Sequence, residues 1–302
     1  MDLGLNLYRW QRAQQNRDLI ECIAPLADAL RQTNQLDHLW FTRFGARGPH
    51  VFLVFGCLDD AARSDVEARI HAYIAEQPPS TPLADGEQQE RHDECRGKAL
   101  WIGDRQPGLA EPDTTFFAPF DGDRRYPYRY AAHLSEAQQR SVWRVVGRLT
   151  QHQLARLQPT EQGQTGAALA WLTSFDQALQ TRWSSDQITA LWRRHAGTLV
   201  LGLNDRWQAD PETFEADLSQ RISPNNRAAM DRAWAAVDPT SATSRIAADL
   251  LDAVGAPDGN PHTDRLLREI HHVALLQLGV WVSVHIPLVL YLWHRNLATE
   301  AP

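Results

Sequence analysis

The C-terminal apolar run, residues 266–295, constrains the fold more than any other feature of this sequence. If its histidines are neutral, it carries no charge between Glu269 and Arg295. A helix that is apolar on every side lies in a large core or in a bilayer. Four residues do not suit a bilayer: Gln277, Ser283, His285 and Pro287. No Lys/Arg-rich flank marks a cytoplasmic side. We therefore expect a buried helix over 262–295, bent near Pro287, rather than a membrane span.

The composition is that of a globular protein that is not adapted to nucleic acid. The chain has 302 residues, of which 43% are hydrophobic and 22% charged, and its formal net charge is −7. A net negative charge does not favour a surface that binds the phosphate backbone of nucleic acid. Cys22, Cys57 and Cys95 lie far apart, which argues against a disulfide framework or a metal site of the usual spacing. The first residues lack the pattern of a secretory signal, so we expect a cytoplasmic protein.

The first third of the chain predicts a split α/β sandwich. Leu3, Leu5 and Leu7 alternate as in a strand, and residues 17–33 have the period of an amphipathic helix. The runs 38–44 and 49–55 are joined by a short link that contains glycine, which predicts a hairpin. Residues 59–76 again have helical spacing. The order is β-α-β-β-α.

The rest of the chain is predicted to be mostly helical, so the fold class is α+β. A polar, Pro-rich loop covers 78–97, a short strand 99–102, and aromatic residues cluster at 116–130. Ser135 and Gln138 have the spacing of a capping box, which opens a helix to about 157. Further helices are expected at 165–181, 184–196, 211–220, 224–237, 240–254 and 262–295. We expect a single unit over 1–302, in which 1–130 contains the sheet and 131–302 the helices.

The usual signatures of cofactor and metal sites are missing from the sequence. No GxGxxG follows a strand, and GxxxxGK(S/T), HExxH, CxxC and GxSxG do not occur. We expect no cofactor and no metal. His271 and His272 would point about 100° apart on a helix, so they would not bind one ion together, and they are interpreted as ordinary helix histidines.

Three short segments resemble a known family. The first is the hairpin, from Leu39-Trp-Phe-Thr-Arg-Phe44 to Gly48-Pro-His50. The second is Arg129-Tyr-Ala-Ala132, and the third is Val282-Ser-Val-His285. In order and spacing they are similar to the C-terminal elimination domain of class I lanthipeptide dehydratases and to the stand-alone thiopeptide enzymes built on that domain. The resemblance implies that fold and a precursor peptide as partner.

The chain departs from the glutamate-eliminating members of this family at the hairpin. Those members carry His-Leu-Arg-Leu-Arg, whereas here the run is His50-Val-Phe-Leu-Val54, and Ile286-Pro287 replaces an Asn-Arg pair after the late histidine. Arginine holds carboxylates through a bidentate fork, so a pocket without it suits a less charged substrate. The resemblance then implies a pyridine synthase. Such an enzyme joins two dehydroalanines of a modified precursor peptide by a formal (4+2) cycloaddition and expels water and the leader peptide.

The candidate site combines this resemblance with residue chemistry. The catalytic candidates are His285, Ser283, Tyr291 and Tyr130. The substrate-binding candidates are Arg129, His50, Phe52, Trp40 and Trp281. On one ideal helix Gln277, His285 and Tyr291 would share a sector of about 120°. We expect the catalytic candidates and Arg129 to meet in a cleft between the sheet and the C-terminal helix. Purely structural roles stay open, an ion pair for Arg129 and core positions for Tyr130 and His50.

Two other functions remain open at this stage. One is a stand-alone subunit that eliminates glutamate from glutamylated Ser or Thr. The other is a non-catalytic module that binds a precursor peptide through the loop 78–97 and the aromatic cluster 116–130. A tRNA partner and a membrane are not expected, and the sequence leaves a homodimer open.

Overall fold

The computed structural model describes most of the chain, in two compact units, Met1–Pro159 and Thr160–Pro302. The described residues are 2–44, 49–56, 59–80, 86, 110–120, 131–157, 161–200, 222–255, 261–280 and 282–298. All described strands belong to the first unit, and the described elements of the second are helices. That both units work as one functional domain stays a prediction.

The first unit is built on an antiparallel sheet of four strands in the order β2-β3-β1-β4. The strands are β1 (Asp2–Leu7), β2 (His38–Phe44), β3 (His50–Gly56) and β4 (Thr115–Phe120). The predicted hairpin is confirmed, since β2 and β3 pair from His38 opposite Gly56 to Phe44 opposite His50. Strand β4 was not predicted. It carries Pro119, which lacks an N–H, and a sheet tolerates this on an edge strand such as β4.

Helices of the first unit cover one face of the sheet and one edge. They are α1 (Arg12–Asp18), α2 (Ala24–Gln32), α3 (Asp60–Glu76) and α4 (Glu136–Leu154). A π-turn, Leu19–Ile23, joins α1 to α2 without a break, and the Ala24 N–H donates to the Leu19 carbonyl five residues back. Pro25 follows at the start of α2. Helix α4 packs on β2 and begins with the predicted capping box of Ser135 and Gln138.

The core of the first unit lies between the sheet and helices α2 and α3. It takes alternate residues of β1, β2 and β3 and the apolar faces of the π-turn and both helices, including Leu5, Phe41, Leu53, Ile23, Leu26, Val66 and Ile70. Helix α3 starts where the Asp59 carboxylate accepts a hydrogen bond of 2.7 Å from the Ala62 N–H. The helix predicted at 59–76 is thus confirmed, and it packs on the sheet.

Within its described residues, the second unit consists of six helices. They are α5 (Glu161–Gln180), α6 (Ser185–Val200), α7 (Pro224–Ala235), α8 (Ala242–Val254), α9 (Pro261–Gln277) and α10 (Val282–Ala298). Helix α10 packs along α6, and α8 packs on α5. The helix expected at 211–220 and the strand expected at 99–102 lie outside the described residues. In the part of the chain that the structure describes, no helix is long and apolar enough to cross a membrane.

The C-terminal apolar run is two helices, not the single helix expected from the sequence. Helix α9 ends in a Schellman motif: the Val280 N–H donates to the Leu275 carbonyl at 3.0 Å, and the Gly279 N–H to the Leu276 carbonyl at 2.9 Å. Gly279 has φ +79°, which glycine adopts without a Cβ clash. The chain therefore turns at Gly279, and Pro287 lies inside α10. The predicted burial is confirmed, because α10 is buried from Leu288 to Trp293.

Candidate active site

The sheet face opposite the core carries an aromatic triad, which we define as Trp40, Phe52 and Phe120. The Trp40 and Phe52 ring centroids lie 5.7 Å apart, those of Phe52 and Phe120 5.8 Å, and those of Trp40 and Phe120 6.2 Å. Phe52 is 2% exposed, and Val54, two residues along β3, is fully buried. Phe52 and Val54, the two positions that the resemblance compares with arginines, therefore lie in an apolar layer.

His50 lies at the start of β3 and is fully buried. Its ring packs on Tyr8 at a centroid distance of 4.7 Å. Of the predicted substrate-binding residues, the structure brings Trp40 and Phe52 into contact and places His50 beside Tyr8, at the end of β1.

The second unit contains a histidine cluster, which we define as His195, His271, His272 and His285. Helix α6 supplies His195, α9 supplies His271 and His272, and α10 supplies His285. The ring centroids of His195 and His271 are 6.0 Å apart, and those of His272 and His285 are 5.5 Å apart and nearly perpendicular. The Schellman turn folds α10 back toward α9 and so brings His285 to His272. Among the described residues, no group of three or more His, Cys, Asp or Glu could hold a metal ion.

His285 is fully buried and neutral in the folded protein. Its pKa is lowered to about 3, mainly by burial and also by the nearby His272, while an interaction with the Val280 backbone acts in the opposite direction. Neither ring nitrogen makes a hydrogen bond of ordinary geometry with the residues that the structure describes. A neutral imidazole carries one donor and one acceptor nitrogen, so the ring can both take and give a proton.

His271 is fixed by aromatic rings of α5 and α6. The Trp171 Nε1–H donates to its Nδ1 at 3.0 Å, which places the ring proton of neutral His271 on Nε2. Phe175 packs edge-on at 4.0 Å between ring centroids. Burial lowers the pKa of His271 to about 3. His271 and His272 thus point to different helices, as their spacing predicted, yet they belong to one cluster.

The sequence analysis missed two buried residues next to these rings, His195 and Asp176. His195 packs against Trp192 and His271, and burial holds its pKa well below the ordinary value. A single histidine in an amphipathic helix gives no sequence signal. The aspartate, in α5, could have been noticed as an acidic residue inside an apolar helical pattern.

Asp176 joins four helices through hydrogen bonds to both oxygens of its carboxylate. Its Oδ1 accepts from Trp192 Nε1 at 2.7 Å and from Asn296 Nδ2 at 2.9 Å. Its Oδ2 accepts from Trp234 Nε1 at 2.9 Å and from Gln180 Nε2 at 3.1 Å. Burial raises the pKa of Asp176, and the donated hydrogen bonds lower it. Four N–H donors match the ionised carboxylate, which has acceptor sites only.

Tyr291 makes its polar contact away from the histidine cluster. Its hydroxyl donates to Asp231 Oδ1, on α7, at 2.6 Å, whereas the His285 ring faces His272. Burial raises the pKa of Tyr291, and so does the Asp231 carboxylate, so the phenol stays protonated. Because the chain turns between Gln277 and His285, the shared sector expected on a single helix does not apply.

The other predicted site residues are not covered by the structure. Arg129, Tyr130 and Trp281 lie outside the described residues, and the same holds for the Ser283 side chain, although the Ser283 backbone belongs to α10. Their roles stay predictions.

The whole chain can now be compared with known proteins. The model of a family described as the C-terminal part of lantibiotic biosynthesis dehydratases matches residues 3–294. The chain belongs to this family. No curated protein matches it.

Solved structures share the fold of this dehydratase C-terminal family member. The pyridine synthase TbtD, from thiomuracin biosynthesis, aligns with a TM-score of 0.66 at 17% identity, over 99% of this chain and 98% of its own. TsrL aligns with a TM-score of 0.52 at 13% identity, over 99% and 95%. The tRNA-dependent lantibiotic dehydratase MibB, from Microbispora sp. 107891, aligns with a TM-score of 0.50 at 14% identity. That match covers all of this chain but only 28% of MibB.

Proposed function

We propose that this family member is a pyridine synthase of thiopeptide maturation. Its substrate would be a precursor peptide that consists of a leader and a core with two dehydroalanines. The enzyme joins the two alkenes in a formal (4+2) cycloaddition, and the ring becomes aromatic as water and the leader peptide leave.

The burial of Phe52 and Val54 carries this proposal. An arginine fork at either position would bind a glutamyl carboxylate; instead Phe52 lies against Trp40 and Phe120, and Val54 is fully buried. A buried charge without a partner is costly, so this layer does not favour an anionic leaving group. It suits a substrate whose reacting parts are uncharged alkenes and an amide.

The reaction needs proton transfers and correct positioning more than strong polarisation. One amide must change to its imidic tautomer, for which one group takes the nitrogen proton and another protonates the oxygen. The later loss of hydroxide and of the leader amide needs a proton on each leaving group. Neutral His285 can act as base and then as acid. Tyr291 could donate from its neutral phenol only if its hydroxyl left Asp231, to which it donates here. Holding the two alkenes face to face supplies the rest by proximity.

Mass spectrometry of a bis-dehydroalanine peptide incubated with the protein tests the proposal. We expect the leader to be released as a separate fragment, together with a new pyridine chromophore. Substitution His285→Ala should slow turnover by about 10²–10⁴-fold, the usual contribution of one general acid or base, with a smaller change in peptide binding. His262→Ala, an exposed histidine in the first turn of α9, is the matched control and should leave turnover near that of the wild type.

The same assay separates the other two functions. Loss of glutamate from a glutamylated peptide, with no reaction of the dehydroalanine peptide, would replace the cyclase by an elimination subunit. If the protein binds the bis-dehydroalanine peptide tightly but leaves it unchanged, and if His285→Ala does not alter that binding, the protein would instead be a module that escorts the precursor.

A further inference from the structure

The catalytic candidate His285 has no direct access to solvent. Its exposed fraction is 0%, and its low pKa follows mainly from that burial. A buried imidazole that takes a proton in one step must either return it to the substrate in a later step or pass it to a neighbouring group. A group that links His285 to solvent would let the base step and the acid step use different protons.

His272 has the position for this connection. Its ring lies 5.5 Å from that of His285, centroid to centroid and nearly perpendicular, and it is partly exposed where His285 is not. At this distance and angle a proton can pass between the rings through one bridging water. A neutral imidazole has one donor and one acceptor nitrogen, so the His272 ring can accept a proton on one side and pass one on from the other.

The charges around this pair are few in the described chain. The groups that act on the cluster electrostatically are His195 from α6, His271 and Arg268 from α9, and His285 itself from α10. Arg268 is bound to Asp264 at 3.1 Å. The other two histidines are neutral because of their burial. Among the described residues, the charges that act on His285 include no carboxylate, so a proton placed on it is held weakly and is readily passed on.

We propose that His272 is the proton relay of His285. A proton that His285 takes from the substrate amide passes to His272 and from there to water, which returns His285 to its neutral form. The reverse transfer delivers the proton that leaves with hydroxide or with the leader amide. This inference rests on the proposed function. His272 acts through His285 and is therefore a positioning residue rather than a catalytic one.

The test replaces His272 with phenylalanine, which keeps a ring beside His285 and removes both nitrogens. Turnover of the bis-dehydroalanine peptide should fall by about 10²-fold in this variant. In His272→Ala, which leaves a space beside His285, millimolar imidazole should restore turnover several-fold, because free imidazole can enter and carry the proton. His262→Ala, on the same helix, should neither slow turnover nor respond to imidazole. Unchanged turnover in His272→Phe, or a loss in a His272→Ala variant of native thermal stability that imidazole does not restore, would overturn the relay.

A second measurement does not depend on activity. Nitrogen-15 NMR of the folded protein reports the exchange of the His285 ring proton with water, and we expect this exchange to slow at least about 10-fold in His272→Phe. If the wild type turns over no peptide but the exchange slows, the proposed function fails and the relay stands. Equal exchange rates in the variant and the wild type would overturn the relay, whatever the enzyme's substrate is.

Discussion

Replacing Asp176 with asparagine should destabilise the second unit more than any other change of equal size. The side chain keeps its shape, but one acceptor oxygen becomes an NH₂ group that faces N–H donors. In either orientation of the amide two of the four hydrogen bonds are lost: those from Trp192 and Asn296, or those from Trp234 and Gln180.

The size of the effect follows from the kind of bond that is lost. A hydrogen bond to a buried charged group contributes about 1.5–3 kcal/mol, so the loss of two lowers the free energy of unfolding by about 3–6 kcal/mol. For a unit of this size that corresponds to a fall in Tm on the order of 10 °C. Urea unfolding followed by tryptophan fluorescence measures it directly, since Trp192 and Trp234 both bind the carboxylate.

The control is Asp252→Asn, the same substitution at an exposed position. The Asp252 carboxylate forms an ion pair with Arg182, and its side chain is 64% exposed. We expect this substitution to cost less than about 1 kcal/mol. If Asp176→Asn unfolds during purification, Trp234→Phe removes a single donor and should cost about 1–3 kcal/mol. An Asp176→Asn variant within about 0.5 kcal/mol of the wild type would refute the reasoning, because asparagine closely mimics a protonated carboxyl group.

Three further outcomes are expected. Since the folded-state pKa of His271 is lowered to about 3, the unfolded chain binds a proton that the native state does not, so this residue makes stability fall as the pH drops from about 6.5 toward 3. His271→Phe should reduce that slope by about 1.4 kcal/mol per pH unit in urea titrations, and an unchanged slope would contradict the burial argument. Gly279→Ala forces a side chain into a positive φ of 79° and should cost about 1–2 kcal/mol by urea unfolding; no cost would mean that the turn can rearrange. Phe52→Ala should cost about 3–5 kcal/mol by the same method, whereas a cost below about 1 kcal/mol would show that the aromatic triad is loosely packed.

Local patterns predicted the sheet-forming part of the chain well. The hairpin followed from two β-rich runs around a glycine-containing link, and helix α3 followed from its period. The register and the cap at Asp59 were not predicted. Strand β4 was not predicted because Pro119 and the adjacent Phe116 and Phe117 obscure its alternation of core-facing and opposite-facing residues. Only its pairing with β1 makes it a strand.

The long C-terminal run was misread for a different reason. Pro287 drew attention as a helix breaker, but it lies inside α10, where it removes one backbone hydrogen bond without ending the helix. The chain turns instead at Gly279, where a positive φ is needed. The sequence alone did not distinguish this glycine from one inside a helix.

The histidine cluster could not have been predicted from local patterns. It depends on contacts such as that between Trp171 and His271, which are 100 residues apart. The burial that lowers the pKa values of these rings is a property of the packed helices and not of the neighbouring residues in the chain. His285 itself was found, but through a family resemblance and not through periodicity.

The π-turn at Leu19–Ile23 has a consequence for how this part of the family can vary in length. Each i→i+5 bond accommodates one more residue than an α-helical turn does, so the turn behaves as a single-residue insertion absorbed within a helix. Removing one residue there would restore a regular α-helical turn and leave Leu26, Ala27 and Leu30 on the helix face that packs beneath the sheet. Relatives with a regular helix at this place should therefore be one residue shorter between β1 and β2.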